Sequence, residues 1–151
     1  MERLPITVSG ARVAVLGYGK CGEAVSALLQ AMGARVSVFA RSAAARARAE
    51  CRGMRAGDIL FLSQVPSAFD ALVNTIPARV VTKSELDALA GCLIIDIASS
   101  PGGVDFRYAE KRGITALLAP SLPGAAAPKT AGKYICDTVE NICEEEGLWK
   151  E

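Results

Sequence analysis

No histidine occurs among the 151 residues of this chain. A reaction that needs an imidazole base, a Ser-His-Asp triad or a histidine-rich metal site is therefore excluded within it. Aromatic residues are scarce as well, at 5% of the sequence, which predicts a core of aliphatic side chains. Apolar runs stay well short of the ~20 residues that span a membrane, and the first ten residues lack the apolar core of a signal peptide. We expect a cytoplasmic protein with no membrane partner.

An excess of charge of one sign is also missing, since 17 basic and 16 acidic residues leave a formal charge of +1. Nucleic-acid partners usually require a strong basic excess, so none is expected. The five cysteines show no CxxC spacing and are interpreted as reduced thiols, and no metal site is predicted. With 51% hydrophobic and 22% charged residues, the composition is globular, and the length predicts one domain over residues 1–151.

Short apolar runs alternate with longer helical stretches along the chain, which is typical of βαβ units on a buried parallel sheet. We predict a Rossmann-like α/β fold, a doubly wound parallel sheet in three α/β/α layers. The predicted strands lie at 12–16, 35–39, near residue 54, and at 71–74, 93–97 and 115–118, and the predicted helices at 20–32, 42–51, 83–90, 106–112 and 129–146. The segment 58–69 is ambiguous.

A glycine pattern, "GYGKCG", follows the first predicted strand and opens a helix. Gly17 permits a tight turn, Gly19 lets backbone N–H groups approach a diphosphate, and Gly22 allows close helix packing, as in dinucleotide-binding loops. Lys20 reaches a phosphate or is simply solvated, and Cys21, for which no partner base is found, is predicted to contact the cofactor through its backbone.

The second predicted strand is followed by "ARS". Ala40 thus occupies the position where dinucleotide-binding domains often place a carboxylate that binds the adenosine ribose. Without that carboxylate a 2′-phosphate is not repelled. Arg41 and Ser42 then predict a phosphate clamp and hence NADP as the cofactor, with NAD also possible. Arg46 either adds a second positive charge or, like Arg48, is an ordinary surface arginine on a helix capped by Ser42.

Two further loops follow the fourth and fifth predicted strands at the same edge of the sheet. They are predicted to line the cofactor, although strand-end turns and helix capping explain their composition equally well. The predicted cofactor contacts are Asn74, Thr75, Ile76, Pro77, Ala98 and Ser99. Asp96, which follows four apolar residues, is interpreted as a buried structural hydrogen-bonding group.

The stretch "LPGAAAPKTAG" precedes the last predicted helix, and Pro128 suits that helix's first turn. Positive charge at a helix N-terminus favours a substrate carboxylate, and a plain helix start with an exposed lysine is the alternative. The candidate substrate contacts are Ser100, Gly124, Lys129 and Thr130. No catalytic acid or base is assigned.

From Val13 onward the chain resembles the C-terminal, cofactor-binding domain of the family of dipicolinate synthase A subunits. The resemblance is carried by "VLGYGKCG", "NTIP", "IIDIASSPGGVDF" and "APSLPGAAAPKTAG". S-adenosylhomocysteine hydrolases, D-2-hydroxyacid dehydrogenases and shikimate dehydrogenases are similar mainly in the first loop and the fold.

The resemblance implies oxidation of a dihydrodipicolinate-type intermediate to pyridine-2,6-dicarboxylate, a small dicarboxylate, with hydride passing to NAD(P) during sporulation. It also implies the B subunit of dipicolinate synthase as a partner. Members of that family carry an additional N-terminal domain, so we expect this chain to bind cofactor without independent turnover. The alternatives are another two-domain dehydrogenase of the hydroxyacid or shikimate type, and a non-catalytic nucleotide-binding or assembly module. The missing histidine counts against the hydroxyacid version.

Overall fold

Six strands form one sheet in the computed structural model, which describes residues 7–65 and 69–147. All are parallel, and their order across the sheet is β3-β2-β1-β4-β5-β6. The strands are β1 Arg12–Leu16, β2 Arg35–Phe39, β3 Arg55–Gly57, β4 Ala71–Asn74, β5 Leu93–Asp96 and β6 Ala116–Leu118. The Rossmann-like fold class predicted from the sequence is confirmed.

Helices connect these strands, and two more follow the sheet. They are α1 Lys20–Ala31, α2 Ala43–Cys51, α3 Lys83–Ala88, α4 Phe106–Lys111, α5 Leu122–Ala126 and α6 Pro128–Glu145, and a 3-10 turn covers Ile59–Gln64. None of the helices in the described residues combines the length and the apolar character that crossing a membrane requires.

The core lies on both faces of the sheet, as the alternation along β1 shows. Val13 and Val15 belong to one buried cluster, while Ala14 and Leu16 belong to the other, because successive side chains of a strand point to opposite faces. Helices α1 and α2 cover the first cluster, and α3 and α4 cover the second. Both clusters are mainly aliphatic, as the low aromatic content predicts.

The observed element bounds agree with the predicted ones to within two residues, and those of β1, β2 and β4 are identical. The exception is the ambiguous segment 58–69, which forms a 3-10 turn rather than an α-helix or a strand. This turn places the apolar side chains of Ile59 and Leu62 in buried positions. Residues 66–68 of that segment lie outside the described residues. Helix α5 was not predicted, because its five residues include Pro123 and Gly124.

The chain divides into two compact units, Met1–Pro120 and Ser121–Glu151. The first holds the complete sheet with α1 to α4. The second holds α5 and α6, and Pro128 lies in the first turn of α6 as predicted.

The strand order places the carboxyl edge of the sheet, where folds of this kind bind ligands, within the first unit. The chain leaves β1 toward β2 on one side and later returns to β4 on the other, so the carboxyl ends of β1 and β4 flank a topological switch point. The loops that follow β1, β2, β4 and β5 therefore share one edge of the sheet.

Candidate functional site

The turn after β1 is built on two glycines that this chain's own packing requires. Gly17 has a φ of +88°, and its N–H donates to the carbonyl of Phe39 at 2.9 Å, which ties the turn to the end of β2. A Cβ on Gly22 would stand 2.2 Å from the carbonyl oxygen of Gly17. Helix α1 therefore begins in direct contact with the turn, an approach that only glycine allows.

Gly19 is different, because no contact within residues 7–65 and 69–147 requires a glycine there. Its φ of −80° is open to any residue, and apart from its chain neighbours no heavy atom lies within 4 Å of where its Cβ would stand. As the N-cap of α1 it offers no side-chain acceptor to the first-turn N–H groups, which have no partners inside a helix. The result is an open cradle of amide donors at a positive helix end, and it fits a diphosphate.

Lys20 and Cys21 occupy the first turn of α1, and both are exposed. Cys21 is a free thiol. Their predicted contacts with a cofactor stay predictions.

The loop after β2 presents the residues predicted to read the adenosine end. Ala40 is buried, whereas Arg41 and Ser42 are exposed. Ser42 is the N-cap of α2, and its Oγ accepts from the N–H of Ala45 at 3.4 Å, which leaves its hydroxyl hydrogen free to donate.

Arg46 is neither a free second charge nor an ordinary surface arginine. Its Nη1 donates to the carbonyls of Ala40 at 2.8 Å and Arg41 at 2.7 Å, and to Asp58 Oδ2 at 2.9 Å. The side chain is only 25% exposed. No pattern in the sequence indicated these contacts.

Arg48, on the same helix, reaches the glycine turn instead. Its Nη2 donates to the carbonyl of Tyr18 at 3.1 Å, and its guanidinium lies 5.9 Å from the centre of the Tyr18 ring. The Tyr18 hydroxyl is buried and finds no hydrogen-bond partner among the described residues. Arg48 therefore fixes the backbone between the first two glycines of the motif.

The end of β4 is ordered by its own side chains. The N–H and Oγ1 of Thr75 donate to the carbonyl of Leu16 at 3.0 and 2.7 Å, and the N–H of Ile76 donates to Asn74 Oδ1 at 3.1 Å. Thr75 thus holds the loop against β1, and the Asn74 side chain orders the loop through the backbone of Ile76. Pro77 lies in the same loop, and contacts of the four residues with a cofactor stay predictions.

Asp96 organises the loop after β5 and is fully buried, as interpreted from the sequence. Its Oδ1 accepts from Asn74 Nδ2 at 2.8 Å and from the N–H of Ala98 at 3.1 Å, and its Oδ2 accepts from the N–H of Gly103 at 2.8 Å. Ser99 and Ser100 lie in this loop and are exposed. Their predicted roles toward cofactor and substrate are not tested by these contacts.

The remaining candidates belong to the second unit. Gly124 lies in α5, and Lys129 and Thr130 lie in the first turn of α6. Their binding of a substrate carboxylate stays a prediction.

The described residues include one buried thiol, that of Cys92. Cys92 is buried, and burial raises the pKa of its thiol to about 12, so it is not a nucleophile at neutral pH. Within residues 7–65 and 69–147, no three Cys, Asp or Glu residues are grouped so as to hold a metal ion.

A cavity of about 540 Å³ runs along β2 and β3, from Arg35 and Arg55 at their first residues to Phe39 and Gly57 at their last. Arg12, Arg35 and Arg55 line it together with Phe39 and Phe69. None of the predicted cofactor or substrate residues is among the described residues that line it.

Comparison with known proteins gives consistent similarities. The sequence model of the family "D-isomer specific 2-hydroxyacid dehydrogenase, NAD binding domain" matches residues 2–90. The A subunit of dipicolinate synthase from Bacillus subtilis (strain 168) is 42% identical over 146 residues, which cover 96% of this chain and 49% of that protein.

Two crystal structures are similar over most of the chain. The A subunit of dipicolinate synthase from Bacillus halodurans superposes with a TM-score of 0.88 at 46% identity, covering 93% of this chain and 49% of the other. The corresponding chain of dipicolinate synthase from Bacillus subtilis superposes with a TM-score of 0.90 at 41% identity, covering 95% and 48%. The chain thus spans about half the length of these relatives.

Proposed function

Because this chain belongs to the NAD-binding domain family of the D-isomer specific 2-hydroxyacid dehydrogenases, and is homologous to the A subunit of dipicolinate synthase, we propose that it binds NADP at the carboxyl edge of its sheet. The diphosphate lies over Gly19 and the first turn of α1. Arg41 and Ser42 hold the 2′-phosphate, and the loops after β4 and β5 line the remainder of the cofactor.

The single observation that carries this proposal is the open space at Gly19. Neither its φ nor any neighbouring atom requires a glycine there, whereas Gly17 and Gly22 are both explained by contacts within the chain. A residue without a side chain at a helix N-terminus is what close approach of a diphosphate demands.

The preference for NADP rests on charge at the end of β2. Ala40 leaves no carboxylate just after this strand to bind ribose hydroxyls or to repel a phosphate, and the Arg41 side chain is exposed and cationic. A guanidinium supplies a planar fork of donors that matches phosphate oxygens. NAD stays the alternative cofactor.

For the reaction, we propose the one suggested by the names of the relatives and by the sequence resemblance. A dihydrodipicolinate-type intermediate loses a hydride to the cofactor and a proton to solvent, which leaves pyridine-2,6-dicarboxylate. When bound, the nicotinamide supplies the hydride chemistry. This chain's residues bind and orient the dinucleotide, and the B subunit of dipicolinate synthase is the proposed partner, in the cytoplasm of a sporulating cell.

One observation favours a second candidate, the cofactor-binding part of a 2-hydroxyacid dehydrogenase, because that family's model matches residues 2–90. The absence of histidine from the chain argues against it. Turnover assays with a dihydrodipicolinate-type substrate and with 2-hydroxyacids distinguish the two, each with and without the other half of the relatives' length supplied as a separate protein. Binding without any turnover would favour a non-catalytic nucleotide-binding module.

The binding proposal is tested by calorimetric titration with NADP and NAD, using Gly19→Val. Since the φ of Gly19 suits valine and the space is open, the variant should fold, while its side chain fills the cradle and lowers the affinity for both nucleotides at least about tenfold. Thermal unfolding without ligand checks the fold.

Gly132→Ala provides the matched control, because Gly132 also has open space around it and an ordinary φ, within α6. Its affinities should equal those of the parent chain. If the parent chain binds neither nucleotide, or if Gly19→Val binds both as well as the parent does, the proposal is wrong.

A further inference from the structure

We propose that Arg46 is a positioning residue that sets the preference of this site for NADP over NAD. It does so by holding the backbone that carries Arg41 and by neutralising Asp58. The inference rests on the proposed function, since it concerns the same adenosine end of the nucleotide site.

Within the described residues, the side-chain hydrogen bonds of Arg46 all pass through one nitrogen. Nη1 lies 2.8 Å from the carbonyl oxygen of Ala40, 2.7 Å from that of Arg41 and 2.9 Å from Asp58 Oδ2. This nitrogen carries two hydrogens, so three acceptors share them. The two consecutive carbonyls and the carboxylate therefore converge on a single point.

The first consequence concerns the orientation of Arg41. Because the carbonyls of the peptide groups before and after it are both bound, the backbone at Arg41 cannot rotate without breaking a charge-assisted hydrogen bond. The N–H of Ala40 is fixed as well, because it donates to the carbonyl of Gly57 at 3.1 Å. The exposed Arg41 side chain is thus presented from a fixed backbone, which reduces the entropy lost when it binds a phosphate.

The second consequence concerns charge. Asp58 follows the last residue of β3, and Gly57 is paired with Phe39 at the end of β2. The Asp58 carboxylate therefore lies next to the loop that would receive the 2′-phosphate, and its side chain is 26% exposed. Unpaired, it would repel a phosphate that carries a charge near −2 at neutral pH, whereas NAD has no phosphate at this position. The ion pair with Arg46 removes that repulsion.

The other arginines of this part of the chain contact different partners. Arg48 donates to the carbonyl of Tyr18 in the glycine turn, which both nucleotides would use, and Arg52, the C-cap of α2, pairs with Glu23 on α1. Loss of Arg46 should therefore change the ratio of the two affinities, a readout that a purely structural role would leave unchanged.

The experiment is a titration of the full chain with NADP and with NAD, for the parent and three variants. Arg46→Met should weaken NADP binding about tenfold and NAD binding much less, which changes the affinity ratio. The double variant, Arg46→Met combined with Asp58→Asn, should recover part of the NADP affinity, because the Asp58 carboxylate that Arg46 had paired is no longer present. Arg52→Met removes the same charge from the end of the same helix and should leave the ratio unchanged.

If Arg46→Met fails to fold in thermal unfolding, Arg46→Lys replaces it, since an ammonium keeps the charge on a shorter side chain and should give an intermediate ratio. An unchanged ratio, or an equal loss of both affinities, overturns the inference while leaving nucleotide binding intact. A parent chain that binds neither nucleotide overturns the proposed function and this inference together. Recovery of NADP affinity in the double variant supports the charge component.

Discussion

One carboxylate, that of Asp96, joins three backbone segments at the carboxyl edge of the sheet. It accepts from the side chain of Asn74 at the end of β4 and from the N–H groups of Ala98 and Gly103 in the loop after β5. A Cβ on Gly103 would stand 2.4 Å from Asn74 Nδ2, so the loop closes tightly over this pair. The shape of two candidate cofactor loops therefore depends on one buried acidic side chain.

Replacing Asp96 with asparagine should destabilise the protein by about 2–4 kcal/mol. The amide has one acceptor oxygen, so at least one of the three donors would face an NH₂ group inside a fully buried site. Urea unfolding measures this loss. Asp87→Asn, at an exposed carboxylate that accepts from Tyr108 and Arg112, should cost less than about 1 kcal/mol. Equal losses in the two variants would contradict this account of Asp96.

The sequence indicated which residues lie in the loops, but it did not indicate which atoms the side chains of those residues contact. The buried structural role of Asp96 follows from its position after four apolar residues. The targets of Arg46 and Arg48 do not, because a long arginine side chain reaches whatever acceptor the tertiary fold places nearby. Asp58, which pairs with Arg46, lies in the segment whose sequence pattern is ambiguous.

Helix α1 is held against β1 at its first turn by the contact between Gly22 and the Gly17 carbonyl. The strands and longer helices were predicted within one or two residues because buried apolar runs and helical periods are strong signals. The 3-10 turn Ile59–Gln64 was not, since six residues with two buried apolar positions fit no regular period.

Gly22→Ala should destabilise the protein by about 1–3 kcal/mol, because the new methyl group would overlap the Gly17 carbonyl 2.2 Å away and push α1 from the strand. The same displacement should weaken the binding of both nucleotides, whereas Arg46→Met should weaken mainly the binding of NADP. Thermal unfolding and titration measure the two effects. Gly132→Ala, within α6, should instead stabilise by about 0.5–1 kcal/mol. A Gly22→Ala variant as stable as the parent would show that α1 tolerates the shift.

The whole molecule shows how far a sequence specifies topology. The parallel, doubly wound character follows from alternating strands and helices, and it is confirmed. The strand order follows from the fold class rather than from any residue pattern, and the division into Met1–Pro120 and Ser121–Glu151 has no compositional boundary to mark it. Strand order and unit boundaries both depend on packing between segments that are distant in the sequence.

Stability of the whole molecule should fall in acid. Hydrogen bonds and charge from Arg12 hold the pKa of Asp70 below its usual value, and hydrogen bonds from Thr82 and Ser84 lower that of Glu85 against the opposing effect of burial. A carboxylate whose pKa is lower in the folded state than in the unfolded state stabilises the folded protein at any pH above the unfolded-state pKa. This contribution disappears as the pH falls through the folded-state pKa. With no histidine present, the unfolding free energy should stay nearly constant from about pH 6 to 8 and decline below about pH 4.5.

Asp70→Asn checks this directly, since the variant should be less stable than the parent at neutral pH and should lose less stability on acidification. Denaturant unfolding at several pH values gives both numbers. Parallel curves for parent and variant would exclude the Arg12–Asp70 pair as a source of the acid sensitivity.

Cys92 gives the folded state a built-in reporter. Its thiol is buried and stays protonated at neutral pH, whereas Cys21, Cys51 and Cys136 are exposed. Alkylation should therefore modify the three exposed thiols rapidly and reach Cys92 only when the second core cluster opens. The rate of that slow reaction records how often the sheet separates from α3 and α4 under conditions where the chain is otherwise native.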